Sequence, residues 1–112
     1  MSPFHEPQTE RLTIGRFARL SGLSARTLRK YDATGLLRPA TVDPETGYRF
    51  YAHAQYARAE TIRLLRSLDI PLAEIATILD SADPGAARRS LEHHLTRAEA
   101  RIAHERRTVM RL

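Results

Sequence analysis

From Leu91 onward, apolar residues recur at alternating intervals of four and three: Leu91, Leu95, Ala98, Ile102, Val109 and Leu112, with Glu105 completing the series. A 3.5-residue period is the mark of a coiled-coil seam. Asp83 and Pro84 supply a cap and a first-turn proline, so one helix is expected over 83–112, about 40 Å long at ~1.5 Å per residue. A chain of 112 residues makes one modest domain and cannot cover such a helix along its whole length. The seam is therefore expected to meet a second chain, or else a domain this chain does not show. Everything before Asp83 has to form a small domain that carries this helix.

That preceding domain is basic. Residues 1–10 carry a net charge of −2, residues 11–68 a net +7 and residues 69–112 a net 0, against +5 for the whole chain. Concentrated positive charge is the electrostatic footprint of a polyanion partner, although a basic domain can also be merely soluble. The chain has no cysteine, which excludes disulfides, thiolate metal sites and cysteine switches. The start, MSPFHEPQTER, has no apolar run, so it is no secretory signal; residues 1–11 are expected to be a disordered leader. No segment reaches membrane-spanning length, and a cytoplasmic protein is the default expectation.

Two short helices follow the leader. In TIGRFARLSG, Thr13 can cap the start, and Ile14, Phe17 and Ala18 fall on one face. Gly22 breaks the pattern. Ser24 caps a second helix, ARTLRKYDAT, which Gly35 closes. Leu28 and Tyr31 face inward at i, i+3, while Arg26, Arg29 and Lys30 face outward. A small residue four before the turn glycine, and apolar positions after it, are the spacing of a helix-turn-helix. Such a unit lays its second helix in a DNA major groove, where three like charges would meet phosphate.

Thr41 and Val42, then Tyr48, Phe50 and Tyr51, read as two strands around the turn residues Asp43, Pro44 and Gly47. A third helix begins near His53, with Tyr56, Ala59, Ile62, Leu65 or Leu64, and Leu68 inward. Asp69 and Pro71 end it, and a fourth helix follows with Leu72, Ile75, Ala76 and Leu79 inward. Arg58 and Arg63 are expected to be solvated or in ion pairs.

The run LTIGRFARLSGLSARTLRKYDATGLLRP, then GYRFY, then IPLAEI, in this order between Leu12 and about Asp80, resembles the DNA-binding region of the MerR family of transcription regulators. The helix after Pro84 resembles that family's dimerisation helix. The resemblance implies a mainly α fold: a winged helix-turn-helix (helix-turn-helix about 13–34), a two-stranded wing hairpin at about 37–51, a helical second wing at about 53–80, and a long C-terminal coiled-coil helix. It implies a homodimer, joined by an antiparallel coiled coil through Leu91, Leu95, Ala98, Ile102, Val109 and Leu112. That dimer would bind a pseudo-palindromic promoter operator and distort the spacer DNA for RNA polymerase. By position, the implied DNA-binding residues are Ser24, Arg26, Thr27, Arg29, Lys30 and Tyr31 on the recognition helix, Tyr48 and Arg49 in the wing, and Arg66 on the helical wing. Tyr31 fits the core equally well.

Three positions depart from the family pattern. Lys30 replaces a usual tyrosine, which leaves it a charge contact only. Ala52 stands where a capping Ser or Asp is common, so the third helix is expected to fray. Asp69 replaces a frequent Gly, and Asp tolerates the left-handed conformation. The wing and IPLAEI are most similar to the drug-responsive branch, whose members carry a C-terminal effector domain. None is present here, so the chain is expected to be a truncated or a small stand-alone regulator. A small-molecule inducer is expected only if the native protein has such a domain. No cofactor or metal is expected, because the metal- and redox-sensing branches use cysteines; His93, His94 and His104 are read as surface residues.

No glycine-rich phosphate loop, nucleophile–base pair or metal-spaced cluster is present, so no enzyme is expected. Asp32 is read as a helix-end or ion-pair residue. Two other classes compete with the regulator: an architectural or recombination-accessory DNA-bending protein, and a coiled-coil protein-interaction module with an incidental basic face.

Overall fold

The computed structural model describes residues 11–112. The chain forms two compact units that meet in sequence at Asp69 and Ile70.

The first unit begins with strand β1 (Arg11–Thr13), which runs directly into helix α1 (Ile14–Ser21). Thr13 ends the strand and caps the helix, its Oγ1 accepting from the Arg16 N–H at 3.2 Å. Gly22 then adopts φ +79° and donates its N–H to the Ala18 carbonyl, a left-handed stop that glycine takes without steric cost. The buried Ser21 hydroxyl accepts from the Leu23 N–H at 3.2 Å, which tightens the turn. Helix α2 (Ala25–Thr34) starts at Ser24 and stops at Gly35, also at φ +79°, so both helices end where expected. Phe17 and Leu28 are fully buried, and Leu23, Tyr31, Leu36 and Leu37 complete this part of the core.

Strands β2 (Thr41–Val42) and β3 (Arg49–Ala52) form the wing. The expected two-stranded hairpin is a three-stranded antiparallel sheet in the order β1-β3-β2, with Leu12 opposite Tyr51. Arg11, assigned to the leader, is thus a strand residue; residues 1–10 of that leader lie outside the described residues. The third strand has a physical reason. An isolated hairpin is marginal, and β1 gives β3 a second ladder while burying Leu12. The wing is also stacked on the helices: the Phe17 and Tyr51 rings lie 4.6 Å apart at 10°, a stacked aromatic contact.

Tyr51 has one uncompensated feature. Its hydroxyl is buried without a hydrogen-bond partner. Burial pushes the phenol pKa up and the Asp32 carboxylate adds to this, while Arg49 and Arg29 oppose it. A buried hydroxyl with no partner costs stability. Tyr51→Phe, which keeps the ring stack, is expected to be neutral or to raise stability by up to about 1 kcal/mol in urea denaturation.

A 3-10 turn (His53–Gln55) leads into α3 (Tyr56–Ser67). Ala52 offers no capping side chain, and the start of α3 has no side-chain cap, but Gln55 ties the preceding turn down. The Gln55 side chain accepts from the Ala52 N–H and donates to the Arg38 carbonyl, joining the helix start to the chain before the wing. Arg58 likewise donates from Nε to the Leu36 carbonyl at 2.9 Å, so it is a structural tie and not a solvated cation. On α3, Ala59, Ile62 and Leu65 are buried, but Leu64 and Leu68 are exposed. Asp69 takes φ +60°, as its replacement of glycine requires.

The second unit contains α4 (Leu72–Asp80), with Ile75 and Ile78 buried, and α5 (Pro84–Met110). Asp83 caps α5, its Oδ1 accepting from the Gly85 N–H at 2.9 Å. Within this unit α4 lies beside the start of α5, where the Ser90 hydroxyl donates to Glu74 Oε1 at 3.0 Å. No residue of α5 is buried. No helix among the described residues is long and apolar enough to cross a membrane.

Candidate nucleic-acid interface

Helix α2 separates its side chains by face. Leu28 and Tyr31 are buried, at 0% and 5% exposure, and α2 packs beside α1. Arg26, Arg29 and Lys30 are exposed. The charges therefore stand on a surface whose orientation the core determines. Ser24 and Thr27 are committed to the helix start: Ser24 Oγ accepts from the Thr27 N–H at 3.0 Å and donates to Thr27 Oγ1 at 2.9 Å. Tyr31, expected either at DNA or in the core, is in the core. Burial raises its phenol pKa, and the positive charge of Arg66 on α3 opposes that rise.

The wing supplies the other side of the surface. Its tip is ordered by its own polar groups. Asp43 Oδ1 accepts from the Glu45 N–H at 2.9 Å, the Asp43 N–H donates to the Tyr48 carbonyl, and Gly47 turns at φ +75°. The Glu45 N–H is also the main reason that the Asp43 carboxyl sits below the ordinary range. Tyr48 is 68% exposed, so this tyrosine does not pin the hairpin, whereas Tyr51 does. Phe50 is covered by Arg11, whose guanidinium carbon lies 4.3 Å from the ring centroid, a cation–π contact.

Between helix and wing is an open cleft of about 350 Å³, lined by Thr13, Ile14, Arg29, Tyr48, Arg49 and Phe50. It brings together Arg29, Tyr48 and Arg49, three of the residues singled out in the sequence. Arg49 is not free. Its Nε donates to Asp32 Oδ2 at 2.7 Å, a bridge from β3 to the last turn of α2. Asp32 is thus an ion-pair residue, as expected. Its partner was not legible, because 17 positions separate the two and no local periodicity relates them.

The seam of α5 is exposed over most of its length. Leu95 is 59% exposed, Ile102 48% and Val109 67%, while Leu91 and Ala98 are partly covered. The assigned helix runs to Met110, and Leu112, the last residue of the seam series, donates its N–H to the Val109 carbonyl at 3.1 Å.

The sequence pattern of the MerR HTH family regulatory proteins matches residues 12–82. The chain belongs to the MerR family. Over 86 residues this MerR-family chain is 43% identical to the transcriptional regulator BrlR of Pseudomonas aeruginosa, a stretch covering 74% of the chain and 32% of BrlR. Its structure is similar to that of MtaN, the N-terminal part of the Bacillus subtilis multidrug transporter activator, with a TM-score of 0.72, 32% identity, and coverage of 88% of this chain and 94% of that one. It is also similar to HiNmlR, a MerR family regulator lacking the sensor domain and bound to promoter DNA, with a TM-score of 0.63, 27% identity, and coverage of 89% and 82%. The MerR-family chain spans about a third of the length of the curated relatives it matches.

Proposed function

We propose that this chain is the DNA-binding and dimerising part of a transcription regulator. In this reading a homodimer binds a pseudo-palindromic operator within a promoter and distorts the spacer so that RNA polymerase meets its two contact elements in register. The observation that carries the proposal is the exposed cationic face of α2, held from behind by Leu28 and Tyr31 and continued across the cleft by Tyr48 and Arg49. Such a helix enters the major groove, where Arg26 and Arg29 can fork onto guanine or brace phosphate. Lys30 offers a point charge to phosphate. The Ser24 and Thr27 hydroxyls at the helix start, Tyr48 and Arg49 in the wing, and Arg66 on α3 meet the flanking backbone. Tyr31 contributes mainly by fixing the helix. The likeness to HiNmlR, which is bound to promoter DNA, supports the same use of the fold.

The apolar stripe of α5 is the surface on which a second copy pairs, antiparallel, through Leu91, Leu95, Ala98, Ile102, Val109 and Leu112. A protein with this task works in the cytoplasm, beside the chromosome.

The test is duplex binding at increasing salt, followed by footprinting on promoters. With several phosphate contacts per subunit, affinity is expected to fall about 10³-fold or more between about 50 and 200 mM salt. A flat salt response would reject DNA as the partner and favour a protein-interaction module. Protection lying outside promoter spacers would favour an architectural protein over a regulator.

A further inference from the structure

Asp32 is out of place by simple electrostatics. It lies in the last turn of α2, where the helix dipole disfavours an acid. It also lies on an element whose exposed face is otherwise cationic and, in the reading above, meets a polyanion. An acid there would ordinarily weaken DNA binding through repulsion.

The geometry gives it a different role. Asp32 Oδ2 takes the Nε–H of Arg49 at 2.7 Å, with side-chain exposures of 21% for Asp32 and 44% for Arg49. A guanidinium held through Nε keeps its two terminal nitrogens available, because arginine carries five donors in a rigid fork. Arg49 lines the cleft together with Arg29, which stands three residues before Asp32 on α2. Arg49 and Tyr51 share a face of β3, being two residues apart. The charges of Asp32, Arg49 and Arg29 all act on the buried Tyr51 phenol, the acid raising its pKa and the two arginines lowering it.

We infer that Asp32 is a positioning residue: it holds Arg49 by Nε so that the outer guanidinium nitrogens, beside Arg29, seat one DNA backbone phosphate in the cleft between recognition helix and wing. This rests on the DNA-binding reading. It assigns to an acidic side chain a favourable effect on binding to an anion, opposite in sign to what its charge alone implies.

The experiment measures binding to a duplex selected by the wild-type protein from a randomised library, across a salt series, for Asp32→Asn, Asp32→Glu, Arg49→Ala and Asp32→Asn with Arg49→Ala. Asp32→Asn is expected to lower affinity about tenfold and to reduce the salt slope by about one, the signature of one lost phosphate contact. Asp32→Glu, which keeps the carboxylate, is expected to retain the wild-type slope, and it serves as the readout if the Asn variant melts early. In the Arg49→Ala background, Asp32→Asn is expected to cause no further loss, because Asp32 acts through Arg49; the reduced salt slope is the readout that a merely structural ion pair would not move. Unchanged or tighter binding by Asp32→Asn overturns the inference, and so does an equal loss in the Arg49→Ala background. A wild-type protein indifferent to duplex and salt would instead refute the DNA-binding reading itself, and the inference with it.

Discussion

Ile102→Asp is expected to convert the protein from dimer to monomer in sedimentation and to abolish operator binding while leaving the helix-turn-helix folded. Ile102 is 48% exposed at the middle of the α5 stripe, and burying the exposed half of a side chain of this size contributes about 0.7–1.5 kcal/mol. A two-fold pair loses that contribution at two places, and each replacement puts a charge into an apolar seam, which costs more. The sum is at least about 3 kcal/mol, or more than a hundredfold in the dimer dissociation constant. Losing the dimer loses the simultaneous hold on two half-sites, so the effect on operator affinity exceeds that of any single contact. Val109→Asp is expected to act in the same direction. A dimer that persists in both variants would remove α5 as the pairing surface.

The second large effect concerns the recognition helix. Arg26→Ala and Arg29→Ala are each expected to weaken operator binding by about 1–3 kcal/mol if the side chain reads a base. Both side chains are exposed on a helix whose other face is fixed by Leu28 and Tyr31, so stability is expected to change little. The discriminating measurement compares operator with random duplex. A base reader loses the operator selectively, whereas a phosphate contact loses both equally and lowers the salt slope. Arg29 lines the cleft beside Tyr48 and Arg49, so its loss is expected to be shared more evenly between the two duplexes than that of Arg26.

The parts of this fold that follow from local chemistry were legible in the sequence. Thr13, Gly22, Ser24 and Gly35 act within a turn of where they stand, so these four residue types alone mark the ends of both helices of the helix-turn-helix. The outward set of α2 followed from periodicity alone. What escaped depends on contacts distant along the chain. Strand β1 is three residues long and has no pattern of its own; it exists because β3 offers it a ladder. Gln55 reaches back to the Arg38 carbonyl, Arg58 to Leu36, and Arg49 to Asp32, each across 17 or more positions. Periodicity also left Leu64 and Leu65 undecided, and the packed unit buries only Leu65.

The pairing of Leu12 with Tyr51 has a consequence for how the domain comes into being. It joins residues about 40 positions apart, and closing a loop of that length costs entropy that local helix formation does not. Helices α1 and α2 have their start and stop signals in hand as soon as Gly35 is made. The strand just ahead of them must wait, unpaired, until Arg49–Ala52 leaves the ribosome. Helices of 8 and 10 residues are marginal on their own, so α1 and α2 gain a lasting partner for the Leu12 strand only once that ladder closes.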